Sequence, residues 1–384
     1  MRELHVHPTR NIPTGTFLRL SVNSPGGPLC PKLGSLHWDQ EEALNPLPFF
    51  RLFLSSHLKR VVIDVPDISE VLEVQTAALI QTISSLPTSI EVLTLSRGRG
   101  KDEILEDAIS AFLCRCGSSL REFRSRVPLS EAAIHHIMQL PNFHSWIVVQ
   151  EPPWTIPISV FPPLKILHLH DQAALPWLHL FASGEENTLR NGSTPMTSRA
   201  NIRETLTNLG FPKKTILDST FLSSVSKFQN LVRVYVDNVC YEEDGCTFHL
   251  TDDDVEDLAA SLPRLQTLEL GIPCHSNFCN TTVASLLSIS THCLDLGLLA
   301  IHFNTSTIAA DMQRLLDGGS WRDKAKCKLT TLMVGYLPVE VGEEDNETVM
   351  KGLRIIFPCF GGFGDFTGDW SKLLMRSLGL WVIR

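Results

Sequence analysis

The chain has 384 residues, of which 43% are hydrophobic, 20% charged and 8% aromatic, with a formal net charge of −9. That apolar content supports a sizeable core and excludes wholesale disorder. The acidic balance, with no basic run longer than two residues, argues against a nucleic-acid partner.

Taken in chain order, one pattern recurs: apolar-x-x-apolar-x-apolar, closing in strand-like alternation. Its copies are MRELHV from Met1, LGSLHW from Leu33, LKRVVI from Leu58, IEVLTL from Ile90, LREFRS from Leu120 and FHSWIV from Phe143. The series continues with LKILHL from Leu164, LVRVYV from Leu231, LQTLEL from Leu265, LGLLAI from Leu296 and LTTLMV from Leu329. Successive starts lie 21 to 34 residues apart, except for one gap of 67 residues that holds either a lost repeat or an insertion. Leucine-rich repeats have a period of roughly 20–29 residues, and longer ones leave room for a full helix.

Between the strands the spacing turns helical. Residues 68–84 place Ile68, Leu72, Leu79 and Ile83 at helical intervals, and residues 102–113 put Ile104, Leu105, Ile109 and Leu113 on one face behind two acids. Residues 251–262 open with Thr251 as an N-cap and three Asp in the first turn. Residues 280–289 and 306–316 continue the theme. Pro87, Pro141, Pro163 and Pro263 precede strands, ending one element and biasing the next toward extended geometry.

The expected fold is an α/β leucine-rich-repeat solenoid, a horseshoe with a parallel concave sheet and convex helices. The array is expected over residues 1–350, interrupted by a flexible polar loop at 183–200. Residues 201–222 show helical spacing that caps or replaces a repeat, and residues 351–384 form an irregular C-terminal cap or tail. A doubly wound α/β fold would need glycine-rich turns at its ligand edge, and the sequence has none.

Strand parity assigns the exposed face. Positions 3, 5 and 7 of each copy give His5, His7, His37, Asp39, Arg60, Asp64, Glu122, Arg124, Arg126, His168, His170, Arg233, Tyr235, Asp237, Glu269 and His302. The candidate partner-binding set is Arg60, Asp64, Arg124, His168, His170, Arg233, Tyr235, Asp237 and Glu269. Arg and Tyr make the better hot spots.

No catalytic residue, metal ligand or cofactor is expected. The set His168, His170 and Asp171 reads as a surface pair, since a metal would need further ligands from neighbouring repeats. His135 and His136 read as solvent or packing residues on a helix. Cys114 and Cys116 lack a second Cys pair, and all ten cysteines read as reduced thiols. EEDG at 242–245 and GEEDNE at 342–347 read as solvated loops. No Walker A, G-x-S-x-G or H-E-x-x-H sequence occurs.

The longest apolar runs, such as Leu296 to Ile301, fall well short of the roughly 20 residues a membrane span requires. MRELHVHPTR lacks the apolar h-region of a secretory signal. The expected compartment is therefore cytoplasm or nucleus, with neither membrane nor nucleic acid as partner.

The segments LSSHLKRVVIDVP, LPTSIEVLTLS, FPPLKILHLHD and LPRLQTLELGIP resemble the repeat region of fungal, especially basidiomycete, F-box proteins, over roughly residues 30–340. The resemblance implies a substrate-recognition array of an SCF-type ubiquitin ligase, in which an F-box docks a Skp-type adaptor and the repeats capture a protein. Met1 to Val6 already reads as a strand and no Leu-Pro-x-Glu-type F-box precedes it. The adaptor is thus expected as a partner only with an F-box upstream of residue 1. The alternative is a leucine-rich-repeat scaffold without a ubiquitin role.

Overall fold

A computed structural model describes residues 3–6, 14–23, 27–39, 47–65, 70–85, 90–97, 103–125, 127–148, 164–169, 176–178, 205–211, 215–236, 248–270, 280–302, 304, 307–318, 327–334 and 343–364. The chain divides into two compact units, Met1–Ala173 with Gly192–Ile202, and Ala174–Asn191 with Arg203–Arg384. The loop expected at 183–200 lies outside the described residues.

The first unit runs β1 (Glu3–Val6), α1 (Thr14–Asn23), β2 (Ser35–Asp39), a 3-10 helix (Leu47–Phe53), β3 (Arg60–Val65) and α2 (Glu70–Ser85). It continues with β4 (Val92–Arg97), α3 (Glu103–Arg115), β5 (Glu122–Ser125), α4 (Glu131–Met138), β6 (Ser145–Val148) and β7 (Ile166–Leu169). Its seven strands pair in chain order and all are parallel. Parallel neighbours require a crossover, and helical segments supply most of them.

Alternation along these strands fixes two faces. Leu36, Trp38, Val61, Ile63, Leu93, Leu95, Phe123, Trp146, Leu167 and Leu169 are all buried. They pack beneath the helices, where Trp38 meets Phe50 and Phe53 at 5.3 and 5.9 Å between ring centroids. The intervening residues form an open face. Removing one such core leucine is worth about 2–5 kcal/mol.

The second unit runs β8 (Asn208–Phe211), α5 (Ser219–Val225), β9 (Arg233–Val236), α6 (Asp252–Ser261), β10 (Thr267–Leu270) and α7 (Val283–His292). It ends with β11 (Leu298–Ile301), α8 (Ile308–Gly318), β12 (Thr331–Val334), α9 (Glu343–Ile356) and β13 (Gly362–Gly364). The six strands are again parallel and in chain order. Each unit is an α/β solenoid of the leucine-rich-repeat kind.

A backbone device repeats through both units. In most strand lead-ins, two successive amides donate to one carbonyl of the preceding repeat. Glu91 and Val92 share the Lys59 carbonyl, and Arg121 and Glu122 share that of Glu91. In the second unit Gln266 and Thr267 share the Val232 carbonyl, and Val232 and Arg233 share that of Thr207. Thr207 therefore occupies a repeat position, and LTNLGF from Leu206 is a copy of the motif.

That finding corrects the helical reading of 201–222 at Leu206 to Phe211, which form a strand and its lead-in. Leu206 and Leu209 are three apart, a spacing shared by a helix face and by L-x-x-L-x-L. Both are buried, at β8 and its lead-in, after a helical Thr205 and ahead of α5, which starts at Ser219. The 67-residue gap thus holds a repeat. GEEDNE, read as a loop, instead opens α9, where acidic residues at a helix N-terminus are favourable. The helix–strand alternation runs to Gly364, where β13 pairs with β12.

Capping joins neighbouring helices. Thr251 and Asp254 form a reciprocal capping box on α6. Asp252 then reaches the next repeat, accepting from the Thr282 amide and hydroxyl, both at 2.7 Å, and from the Ser285 amide at 3.1 Å. At Gly352 of α9 a Cβ would run into Met312 Sδ and stand 3.0 Å from Met312 Cβ, so α8 and α9 approach closely where the glycine lies.

Candidate partner-binding faces

The open face of the first unit carries two columns set by strand register. One reads Glu3, Ser35, Arg60, Val92, Glu122, Ser145 and Ile166, and the other reads His5, His37, Val62, Thr94, Arg124, Ile147 and His168. The face is less uniformly polar than the sequence reading has it. Val62, Val92, Ile147 and Ile166 are half-buried on it, between the charged groups.

Most of those charges are matched internally. His37 Nε2 donates to Asp64 Oδ2 at 2.6 Å, with the His5 ring 4.9 Å from that of His37 and Glu3 Oε1 3.3 Å from His5 Nε2. Arg124 donates to Glu122 at 3.3 Å. Arg124 Nε and Ser145 Oγ are shielded from water without a hydrogen-bond partner. Arg60 is exposed and makes no hydrogen bond or ion pair among the described residues. At the strand entrances Lys59 donates to Glu91 at 2.6 Å with Arg121 3.6 Å away. The Lys59 hydrogen bond is the main reason the Glu91 carboxyl lies below its ordinary range.

On the second unit the columns read Asn208, Arg233, Thr267, Leu298, Thr331 and Gly210, Tyr235, Glu269, Ala300, Met333. Arg233 is exposed and Tyr235 is 40% exposed. Glu269 is half-buried, and burial pushes its carboxyl above the usual range. Neither Arg233 nor Glu269 makes a hydrogen bond or ion pair among the described residues.

The structure thus places Arg60, Asp64, Arg124, His168, Arg233, Tyr235 and Glu269 on open faces. His7, Arg126, His170 and Asp237 lie outside the described residues. His302 is a correction. It follows the end of β11, is only 1% exposed, and packs edge-on against Phe248 at 5.7 Å. Parity carries no information once the strand has ended. His135 lies 3.8 Å from Glu131, and His136 bonds the Cys116 carbonyl at 2.9 Å, tying α4 to the preceding repeat.

The buried thiols serve packing. Cys293 and Cys327 reach carbonyls of the preceding repeat at 3.6 and 3.2 Å, and burial pushes them up to about 12 and about 11. A shallow hollow at the ends of α2 and α3 is lined by Phe112, Arg115 and Cys116, whose thiol burial also pushes up to about 12. A thiol that stays protonated is a poor nucleophile or metal ligand. Among the described residues no three His, Cys, Asp or Glu side chains are grouped to hold a metal, and no helix is long and apolar enough to cross a membrane.

Each unit thus presents a sheet face of mixed apolar and charged side chains. No protein-family model matches the chain, and no curated protein matches it significantly.

Proposed function

We propose that this chain is a protein-binding module, the substrate-recognition region of an F-box (SCF-type) ubiquitin ligase receptor, acting through its open sheet faces. The observation that carries the binding role is the exposure of Arg60 and Arg233, without ion pairs among the described residues, beside half-buried Val92, Leu298 and Met333 and exposed Tyr235. Apolar surface rimmed by Arg and Tyr is the composition of interface hot spots. The ubiquitin connection comes from the resemblance of the strand motifs. The protein acts in cytoplasm or nucleus and binds neither nucleic acid nor membrane, a reading supported by the charge of −9 and the short apolar runs.

A scaffold without ubiquitin transfer is the second reading. It rests on the same exposed Arg60 and Arg233 and needs no adaptor. Affinity capture from cells with the product of the whole locus separates the two. Recovery of a Skp-type adaptor supports the first; a partner retained without adaptor supports the second. Arg60→Glu combined with Arg233→Glu should release that partner, and unaltered capture would sink the open-face assignment.

A further inference from the structure

The second unit's open face brings a tyrosine and a carboxylate together. Tyr235 and Glu269 are register partners on β9 and β10, so their side chains project together from strands about 4.8 Å apart. Glu269 is half-buried yet has no hydrogen-bond or ion-pair partner among the described residues, and its oxygens remain open to solvent. Folding has partly dehydrated a carboxylate without supplying a counter-charge. On its other side lie fully buried Ala300 and half-buried Met333, an apolar floor.

Arg233 is equally unmatched. It is offset from Glu269 by one strand and two residues, the same diagonal that His37 and Asp64 bridge at 2.6 Å in the first unit. Here the diagonal stays unbridged. Arg233 instead lies between Asn208 and Thr267, two side chains able to hydrogen-bond a carboxylate.

We propose that Tyr235 and Glu269 form a receptor for a Lys or Arg side chain of a bound protein segment, with Arg233 receiving an acidic side chain of the same segment. The inference rests on the reading that the open faces bind protein. The cation pairs with the Glu269 carboxylate, its charged head lies against the Tyr235 ring, and its aliphatic stem covers Ala300 and Met333. The acidic residue at Arg233 offsets the repulsion a lone incoming cation would meet there. A partly dehydrated carboxylate is poised for such a ligand, because an opposite charge restores the ionised form that burial disfavours.

The test pans random peptides displayed on phage against the full chain, in wild-type, Glu269→Lys and Arg233→Glu forms, with melting curves to confirm folding. Wild-type binders should be enriched in paired basic and acidic residues. Glu269→Lys should lose the basic preference, and Arg233→Glu the acidic one. Glu269→Gln, which keeps the shape, should weaken a selected peptide at least about tenfold. Binders without basic enrichment, no binders at all, or affinity unchanged by Glu269→Gln would overturn the proposal. Leu298→Arg and Val92→Arg separate the two failures. Peptides that ignore Glu269 and Arg233 but are displaced by either arginine leave the open-face reading standing. Peptides that ignore all four variants remove both.

Discussion

The two units solve the same geometric problem in opposite ways. On the first, Asp64 is diagonal to His37 and the two are joined; on the second, Glu269 is diagonal to Arg233 and both are left unpaired among the described residues. The neighbours differ. Val62 and Asp39 flank the line from His37 to Asp64 in register, whereas Thr267 and Tyr235 flank the line from Arg233 to Glu269. Register sets which charges are near; the side chains around them set whether they meet. A diagonal pair that satisfies itself has less to offer a partner, while one left open costs stability and, under the proposal above, is kept for a ligand.

The largest expected effects test whether the cores beneath the two faces are equivalent. Leu93→Ala and Leu268→Ala each empty a fully buried position and should each cost about 2–5 kcal/mol in denaturant unfolding. A cost well below that range in either unit would show a looser core there. Gly352→Ala should cost about 1–3 kcal/mol, since the added methyl meets the side chain of buried Met312. A neutral result would mean α8 and α9 part freely.

Next comes Asp252→Ala, which removes the cross-repeat cap of α7. Hydrogen bonds to a charged group contribute about 1.5–3 kcal/mol, so a loss in that range is expected, with faster amide exchange at Thr282 and Ser285.

The smallest effects sharpen the contrast itself. Asp64→Asn should cost less than about 1 kcal/mol, because both partners are a third exposed. Glu269→Gln should act in the other direction. Its carboxyl is raised in the folded chain, so folding retains the proton; stability is fully present below the ordinary carboxyl range and falls as pH rises through the raised value. Melting temperatures measured from acid to neutral pH should therefore show the variant gaining on the wild type as pH increases. A variant that loses ground would mean the Glu269 carboxylate is stabilised in the fold. Glu269→Gln then pairs unchanged or raised stability with weakened binding, as expected for a residue kept for its ligand.

Eleven strands are legible in the sequence because L-x-x-L-x-L and period-two alternation are local signals. The copies from Met1 to Leu164 and from Leu231 to Leu329 all became strands. β8 escaped because Leu206 and Leu209 fit a helix as well as a strand lead-in. β13 escaped because its Gly-rich segment has too few apolar side chains to show alternation. The open-face positions of Arg60, Asp64, Arg124, His168, Arg233, Tyr235 and Glu269 follow from parity, which fails at His302 beyond its strand.

What the sequence by itself determined is the α/β repeat and the face each strand residue takes, since successive side chains along an extended chain must point to opposite sides. Only the tertiary structure decided that LTNLGF is a repeat, that His37 holds Asp64, and that Arg233 and Glu269 stay apart. Those outcomes depend on side chains brought together from strands some 25 to 34 residues apart in sequence, and no local pattern records how bulky those neighbours are or how much water they exclude.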